Sequence, residues 1–304
     1  MAISRHQLVK ELEPGLNALF GLEYNRYDNQ HAEIYTSESS DRAFEEEVML
    51  SGFGNASVKS EGSGVAFDNA QESYSARYTH ETVALAFAIT EEAIEDNLYD
   101  KISSRYTKAL ARSMSNAKQV KAAAPLNNGL PSVDGFDSGD GVSLFNTSHT
   151  TVSGTSVKNT LTTQADLNET SLEQAMIDIA AMTDERGLRI AAKAVKMIVP
   201  SANQFAAERL MKSQGRTGTA DNDINALGSM GMIPQGYRVN NYLTDTDSFY
   251  IITDVPNGMK MFTRAPLTTA MEGDFDTGNV RYKARERYSF GVSDFRGIFG
   301  VEGA

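Results

Sequence analysis

Four histidines, His6, His31, His80 and His149, are the side chains of this sequence that titrate near neutral pH, and they are where proton chemistry would begin. No two of them stand at metal-ligand spacing. The chain has no cysteine, which excludes cysteine-ligated zinc, iron–sulfur clusters, a disulfide framework and thiol catalysis. His149 lies in LFNTSHTT and could act as a base, but among Ser and Thr it reads as a loop or cap residue. Gly52-Phe53-Gly54 followed by Lys59 has glycines and a cation, yet not the GxxxxGK[ST] order that cradles phosphate, and no helix pattern follows. Asp221-Asn222-Asp223-Ile224-Asn225 supplies the first ligand positions of a calcium loop, but Ala226 stands where Gly is needed and Met232 where Glu is needed. There is no GxSxG and no carboxylate pair that stands out. These residues point away from an enzyme and call for no cofactor and no metal.

The elements around them must therefore carry another kind of function. The chain has 304 residues, 40% hydrophobic and 22% charged, which is the make-up of a folded protein long enough for one large or two ordinary domains. Its formal net charge is −12, a poor basis for gripping a nucleic-acid backbone, where affinity comes from cations displacing counterions. The charge is also divided. Residues 1–100 hold 19 acidic and 6 basic side chains, and residues 101–125 hold 6 basic and no acidic ones. A chain split this way can attract copies of itself. No run approaches the ~20 apolar residues of a membrane span, and the N-terminus lacks the apolar stretch of a secretory signal. The expected location is the cytoplasm in which the chain is made, with no membrane partner.

Residues 1–48 read as an acidic arm with short helical pieces. Leu8, Leu12, Leu16 and Leu19 make a helical stripe that Pro14-Gly15 interrupts, and turns are expected at Asn25–Gln30 and Ser37–Asp41. In residues 51–70, Val58–Ser60 and Val65–Phe67 flank Glu61-Gly62-Ser63-Gly64, the pattern of a polar hairpin that is marginal alone and needs something to lie on. Along 72–89, Tyr74, Ala76 and Tyr78 alternate on one parity and Val83, Leu85, Phe87 and Ile89 on the other, so a bulge or sharp twist falls near Thr79–Thr82. A long helix follows, capped by Thr90 and stopped by Pro125, with a stripe of Ile94, Leu98, Ile102, Tyr106, Leu110, Met114 and Ala117. Some 34 residues would span ~50 Å. Two shorter helices carry capping boxes at Thr170/Glu173 and Ser201/Gln204. Strands are expected at Ala194–Val199, Phe249–Thr253, Gly258–Thr263 and Val280–Phe290, with a long loop at Gly215–Gly236, a turn at Asp274–Gly278 and a last apolar piece at Gly297–Val301.

One strand calls for a partner. Along Val280–Phe290, Arg281, Lys283, Arg285 and Arg287 share one face, while Val280, Tyr282, Ala284, Glu286, Tyr288 and Phe290 share the other. Four like charges in a row repel one another unless opposed. A solvated outer face and an acidic segment of a neighbouring copy both satisfy this pattern.

Taken in order, the segments VKSEGSGVAF with YTHETVALAFAITEEAIEDNLYD, TSLEQAMIDIAAMTDERG with KMIVPSANQFAAERLMKS, and VRYKARERYSFGVSDFRGIFG resemble the major capsid proteins of tailed double-stranded-DNA bacteriophages. The resemblance runs over nearly the whole chain. Its first segment and LFNTSHTT look most like the Mu-like head-subunit branch. It implies an α+β phage major-capsid fold with an N-terminal arm at 1–48, an extended β-hairpin loop at 49–82, a peripheral domain with a spine helix at 83–129 and 265–290, and an axial domain at 130–264 and 291–304. It also implies a virion protein that self-assembles into the pentamers and hexamers of an icosahedral head, contacts packaged DNA weakly and catalyses nothing. Portal and scaffold proteins are the expected partners, and room remains for a decoration protein. Because the arm begins almost at Met1, the scaffold is expected to be a separate protein. Lys59 and Glu61 lie where some relatives crosslink a loop lysine to a neighbour's asparagine. With Phe67, Arg281, Lys283, Arg285 and Arg287 they are the expected inter-subunit contacts. The alternative is an encapsulin-type shell around protein cargo; outside shells, a surface adhesin or a cryptic hydrolase would be a solitary monomer.

Overall fold

The computed structural model describes residues 5–90, 92, 99–133, 135–215, 223–274 and 278–304. Two four-stranded sheets share the load. The first has the order β1 (Thr36–Ser39), β10 (Met259–Gly273), β11 (Val280–Val292), β4 (Glu81–Ile89). The second has the order β12 (Ile298–Val301), β9 (Phe249–Thr253), β7 (Ala194–Val199), β8 (Tyr237–Val239). A ribbon of β2 (Phe44–Leu50) and β3 (Glu72–Thr79) leaves the first sheet, and β5 (His149–Thr150) pairs with β6 (Ser156–Val157). The helices are α1 (Arg5–Tyr24), α2 (Tyr99–Asn128), α3 (Glu169–Ala181), α4 (Gln204–Lys212) and α5 (Ala226–Met230).

The main core lies around the second sheet. Met197, Phe249, Tyr250, Ile251, Ile298 and Phe299 meet Leu126 at the end of α2, Leu144 and Phe145 from the following loop, and Leu172 and Ile179 from α3. Each such side chain, wholly removed from water, contributes ~1.5–3 kcal/mol. These buried runs are why β7 and β9 occupy the bounds their composition predicts. A second core joins Leu16 and Phe20 of α1 to Leu110, Ala111 and Met114 of α2 and to Tyr282 and Ala284 of β11.

That second core overrides two local signals. Pro14 lacks the N–H that would bond back to residue 10, a break worth ~3 kcal/mol, yet α1 runs through it without interruption for 20 residues. Burial of Leu16 and Phe20, with Asn17 Oδ1 accepting from Thr269 Oγ1 and Tyr282 Oη at 2.8 Å each, holds the helix beyond it. Residues 5–24 thus lie on the chain's own body. Likewise α2 does not stop at Pro125 but ends at Asn128, because Leu126 is packed in the main core and Pro125 beside it is buried. Its buried line runs through Thr107, Leu110, Ala111 and Met114, and Tyr106 is 53% exposed. Leu110 and Met114 of the expected stripe are thus buried against α1, while one turn earlier Thr107 takes the buried place expected for Tyr106. The expected start of this helix, with Glu91, Ile94 and Leu98, lies outside the described residues, as does the side chain of Ile102.

Other local readings shift with their surroundings. The capping box of α3 is formed by Asn168 and Ser171 rather than Thr170 and Glu173. A 3-10 turn at Ser201–Asn203 leads into α4, whose N-cap Asn203 makes no side-chain capping bond, so the Ser201/Gln204 box does not form. Ser37–Ser39 is not a turn but part of β1, parallel to Lys260–Thr263. The loop Gly215–Gly236 contains α5, and β10 extends past Thr263 as far as Gly273.

The arm is clipped to α2 by a reciprocal pair. Gln119 Oε1 accepts from the His31 backbone N–H at 3.0 Å, and Gln119 Nε2 donates to His31 Nδ1 at 2.9 Å. The imidazole is thus held neutral. Burial, and then the Lys118 ammonium, lower its pKa from the usual 6.5 to about 4. An unfolded chain would take up this proton first, so the contribution is complete above pH 6.5 and is lost as pH falls to about 4. Urea unfolding of the unassembled chain across this window should show a loss of about 3 kcal/mol attributable to this site. The His31→Gln variant should show a shallower slope.

Gly258 and Gly297 touch backbone to backbone where β10 starts beside the turn before β12. A Cβ on Gly297 would stand 2.3 Å from the Gly258 Cα. Gly297→Ala should therefore lower stability by about 1–3 kcal/mol, read as an earlier urea midpoint with an unchanged slope.

Candidate interaction surface

The parity of β11 places its cations as expected. Arg281, Lys283 and Arg285 are exposed and Arg287 is half-buried, while Tyr282, Ala284, Glu286 and Tyr288 are buried on the other side. The register explains what surrounds the row. Arg281, Lys283, Arg285 and Arg287 stand opposite Ala88, Ala86, Ala84 and Thr82 of β4. Across β10, Lys283 and Arg285 stand opposite Ala270 and Thr268. Directly opposed residues share a face, so Lys283, Arg285 and Arg287 rise from a floor of small side chains, while Arg281 stands opposite Glu272 of β10. Asp274 pairs with Arg281 at one end of the row. Among the described residues no carboxylate pairs with Lys283, Arg285 or Arg287.

The buried face of the same strand is charged at one point. Glu286, 2% exposed, has Lys118 Nζ at 3.3 Å and Tyr24 Oη at 3.5 Å. Burial raises its pKa, and the Lys118 ammonium opposes that rise.

The ribbon begins where β3 ends and β4 starts, at His80. This buried residue bonds Ser289 Oγ through Nδ1 at 2.9 Å and Ser40 Oγ through Nε2 at 3.0 Å. Burial, and then the Arg287 guanidinium, lower its pKa. The parity switch read in the sequence is this corner, at which one extended run leaves one sheet for another. Alternation along Phe44–Leu50 turns Glu45 and Glu47 inward and Phe44, Glu46, Val48 and Leu50 outward. Glu47 bonds Lys260 and Ser293, and Ser293 also bonds Tyr78. Glu38 lies 3.2 Å from Lys260 Nζ. Burial pulls the Lys260 pKa down, but the hydrogen bonds to Glu47 and Glu38 outweigh it and hold the ammonium above its ordinary range.

Beyond Leu50 the ribbon loses its ladder. The expected strands at 58–60 and 65–67 do not form; only the turn at Glu61-Gly62 does, with Gly62 at φ +76° and Ser63 N–H donating to Ser60 O. Ser51 and Gln71 close the base, and Asp68 accepts from the Gly54 N–H at 2.7 Å and pairs with Arg186 at 2.9 Å. Those backbone donors first, and the guanidinium with them, lower the Asp68 pKa. Lys59 and Glu61 are exposed, and Val58 and Phe67 are 98% exposed. Among the described residues nothing joins Lys59, Glu61 or Phe67 to the basic row of the same chain.

The chemistry-bearing histidine of the sequence proves structural. His149 Nδ1 lies 2.6 Å from Asp140 Oδ2, its Nε2 lies 3.1 Å from Asn159 Oδ1, and its ring stacks on Phe295 at 3.8 Å. It is 0% exposed, so no substrate reaches it. Sequence reasoning missed a buried node at Arg296, whose guanidinium bonds Glu185 at 2.6 Å, Asp294 at 3.2 Å and Thr183 O at 2.8 Å. Glu185 in turn accepts from Ser73 Oγ of β3 and the Val152 N–H at 3.1 Å each. Only chain tracing brings these together; the inward Glu45/Glu47 and the alanines of β4 could have been found by parity alone. No group of three His, Asp or Glu suited to a metal occurs among the described residues.

The sequence profile of the phage capsid protein family matches residues 73–301. The capsid of Myoviridae phage XM1 superposes with a TM-score of 0.55 at 13% identity, covering 89% of each chain. The virus-like particle from Pyrococcus furiosus gives 0.54 at 10% identity, over 95% of this chain and 98% of that one. The capsid of an empty GTA particle gives 0.52 at 15% identity, over 90% and 89%. These identities make the three likenesses statements about fold. Comparison with curated protein sequences gives no match.

The ribbon base yields its own test. Lys260→Met leaves Glu47 and Glu38 without their cation and should cost about 1–3 kcal/mol. Limited proteolysis should then cut within residues 51–70 sooner than in the parent chain.

Proposed function

The chain belongs to the phage capsid protein family, and on that footing we propose how its surfaces complete one another in a shell. The protein is a structural capsid subunit that works as many copies. Its arm is residues 1–48, its extended loop 49–82, its peripheral domain 83–129 with 265–290, and its axial domain 130–264 with 291–304, the last meeting symmetry mates around fivefold and quasi-sixfold centres. The shell is the icosahedral head around double-stranded DNA, built with portal and scaffold proteins in the host cytoplasm.

The observation that carries this reading is the pair of uncovered surfaces: a loop whose Val58 and Phe67 are almost wholly in water, and three cations that no carboxylate among the described residues pairs with. Exposed large apolar groups held on an ordered projection mark a contact made elsewhere. Phe67, Lys59 and Glu61 touch a neighbouring copy, and Arg281, Lys283, Arg285 and Arg287 receive an acidic segment of one. The net charge of −12 suits a container that confines DNA without gripping it. An encapsulin-type shell would share the fold and differ in its contents, protein rather than nucleic acid.

Electron microscopy of the purified chain should show closed particles, and a solitary monomer in every buffer would end the shell reading. The double variant Arg285→Glu, Arg287→Glu should fold with a near-parental urea midpoint and yield at least tenfold fewer particles. Unchanged yield would remove the basic row from the interface.

A further inference from the structure

Among the described residues the first sheet has two free edges, and they are treated differently. Past Thr263, β10 has no partner on its outer side, and this stretch holds Pro266 and two register shifts, at Thr263/Ala265 and Ala265/Thr268. Proline and bulges are the means by which proteins keep an edge from pairing. The other edge is β4, nine residues of sequence ETVALAFAI in unbroken register with β11 from Glu81 to Ile89. It has no proline, no lysine and no bulge. Thr82, Ala84, Ala86 and Ala88 are exposed on the cation side. On the helix side Leu85 is 47% and Tyr106 53% exposed. Such an edge is a template for one more strand.

The same chain holds a segment with the complementary deficit. Between the anchors at Gly54 and Asp68, residues 55–67 belong to no helix or strand, and among them the one backbone bond is the Ser60–Ser63 turn. Its second limb alternates Val65 and Phe67 against Gly64 and Ala66, apolar on one face and small on the other. Charge separates the two limbs. Residues 61–72 hold Glu61, Asp68 and Glu72 and no base, whereas the first limb holds Lys59. Asp68 is already paired with Arg186 and Glu72 lies in β3, so beside the cations of β11 it is Glu61 at the head of the second limb that is attracted and Lys59 in the first that is repelled.

We propose that residues 63–67 of one copy pair, backbone to backbone, with the free edge of β4 in a second copy. Val65 and Phe67 then cover Leu85 and Tyr106, and Gly64 and Ala66 continue the small-residue floor beside Arg285 and Lys283. This rests on the shell reading and names the surface by which the loop is received. It also accounts for alanine at three successive exposed positions of a strand, where alanine has little intrinsic preference, since small side chains let the incoming strand and the long cation stems share the face.

The absence of native cysteine permits a direct test. One chain carries Ala66→Cys, and a second, size-tagged chain carries Ala84→Cys, Ala86→Cys or Ala88→Cys in turn. The two are mixed before assembly and oxidised with copper phenanthroline. A covalent heterodimer on a non-reducing gel, with at least one of the three positions, is the expected result. Visible particles without a heterodimer at any position overturn the β4 assignment and leave the shell intact. If the parent chain forms no particles, the shell reading falls and this proposal falls with it. As a second measurement, Phe67→Ser should raise the concentration needed for assembly about tenfold, with the urea midpoint unchanged. No change in that concentration would count against the pairing.

Discussion

The pairing of β10 with β11 is the constraint on which both halves of the molecule depend. One antiparallel ladder, shifted twice on the way, runs from Met259↔Val292 to Gly273↔Val280, and its two ends lie in different cores. Met259, Met261, Tyr288 and Val292 belong to the main core, while Tyr282 and Ala284 belong to the core under α1 and α2. A slip of one residue would turn every side chain to the opposite face. It would put the four cations against α2 and the tyrosines in water. The bulges at Thr263–Thr268 bend the pair between the two cores without losing that phase.

Charge inside the fold is confined to a few closed networks. Arg296 is buried against two carboxylates and a carbonyl, and its partner Glu185 reaches both β3 and the loop at Val152. Removing one member of such a set leaves an unpaired buried charge, which is far costlier than the set itself is stabilising. Lys118 with Glu286, and Lys260 with Glu47 and Glu38, follow the same rule at the arm and at the ribbon base. The surface cations of β11 do not, which is what separates them from the rest.

Much of this was legible before any coordinates. Ala194–Val199 and Phe249–Thr253 are buried runs with one reading, and they are strands with those bounds. The change of parity between Tyr78 and Val83 located the corner at His80, and the period of two located the basic row. What was illegible depends on distant contacts. Pro14 and Pro125 look like helix breaks because nothing nearby shows Leu16, Phe20 or Leu126 being buried. Thr36–Ser39 looks like a turn because Ser and Thr favour turns, and only the β10 edge makes it a strand. The hairpin signal at 58–67 is sound as a turn at Glu61-Gly62, but a ladder needs two paired backbones, and here the limbs stay apart. Asn168 displaced Thr170 as a cap by a shift of two residues that propensity does not resolve.

The corner at His80 has a mechanical meaning. A single residue separates the strand that carries the projecting loop from the strand that closes the first sheet, and its ring is bonded on both sides. The two strands therefore form a bent lever with a fixed fulcrum. A load at the ribbon base, where Ser51 meets Gln71, is carried along the β2–β3 ladder through Tyr78 and His80 to the start of β4. The base of the ribbon and the start of β4 therefore cannot move independently without breaking the His80 bonds to Ser289 and Ser40.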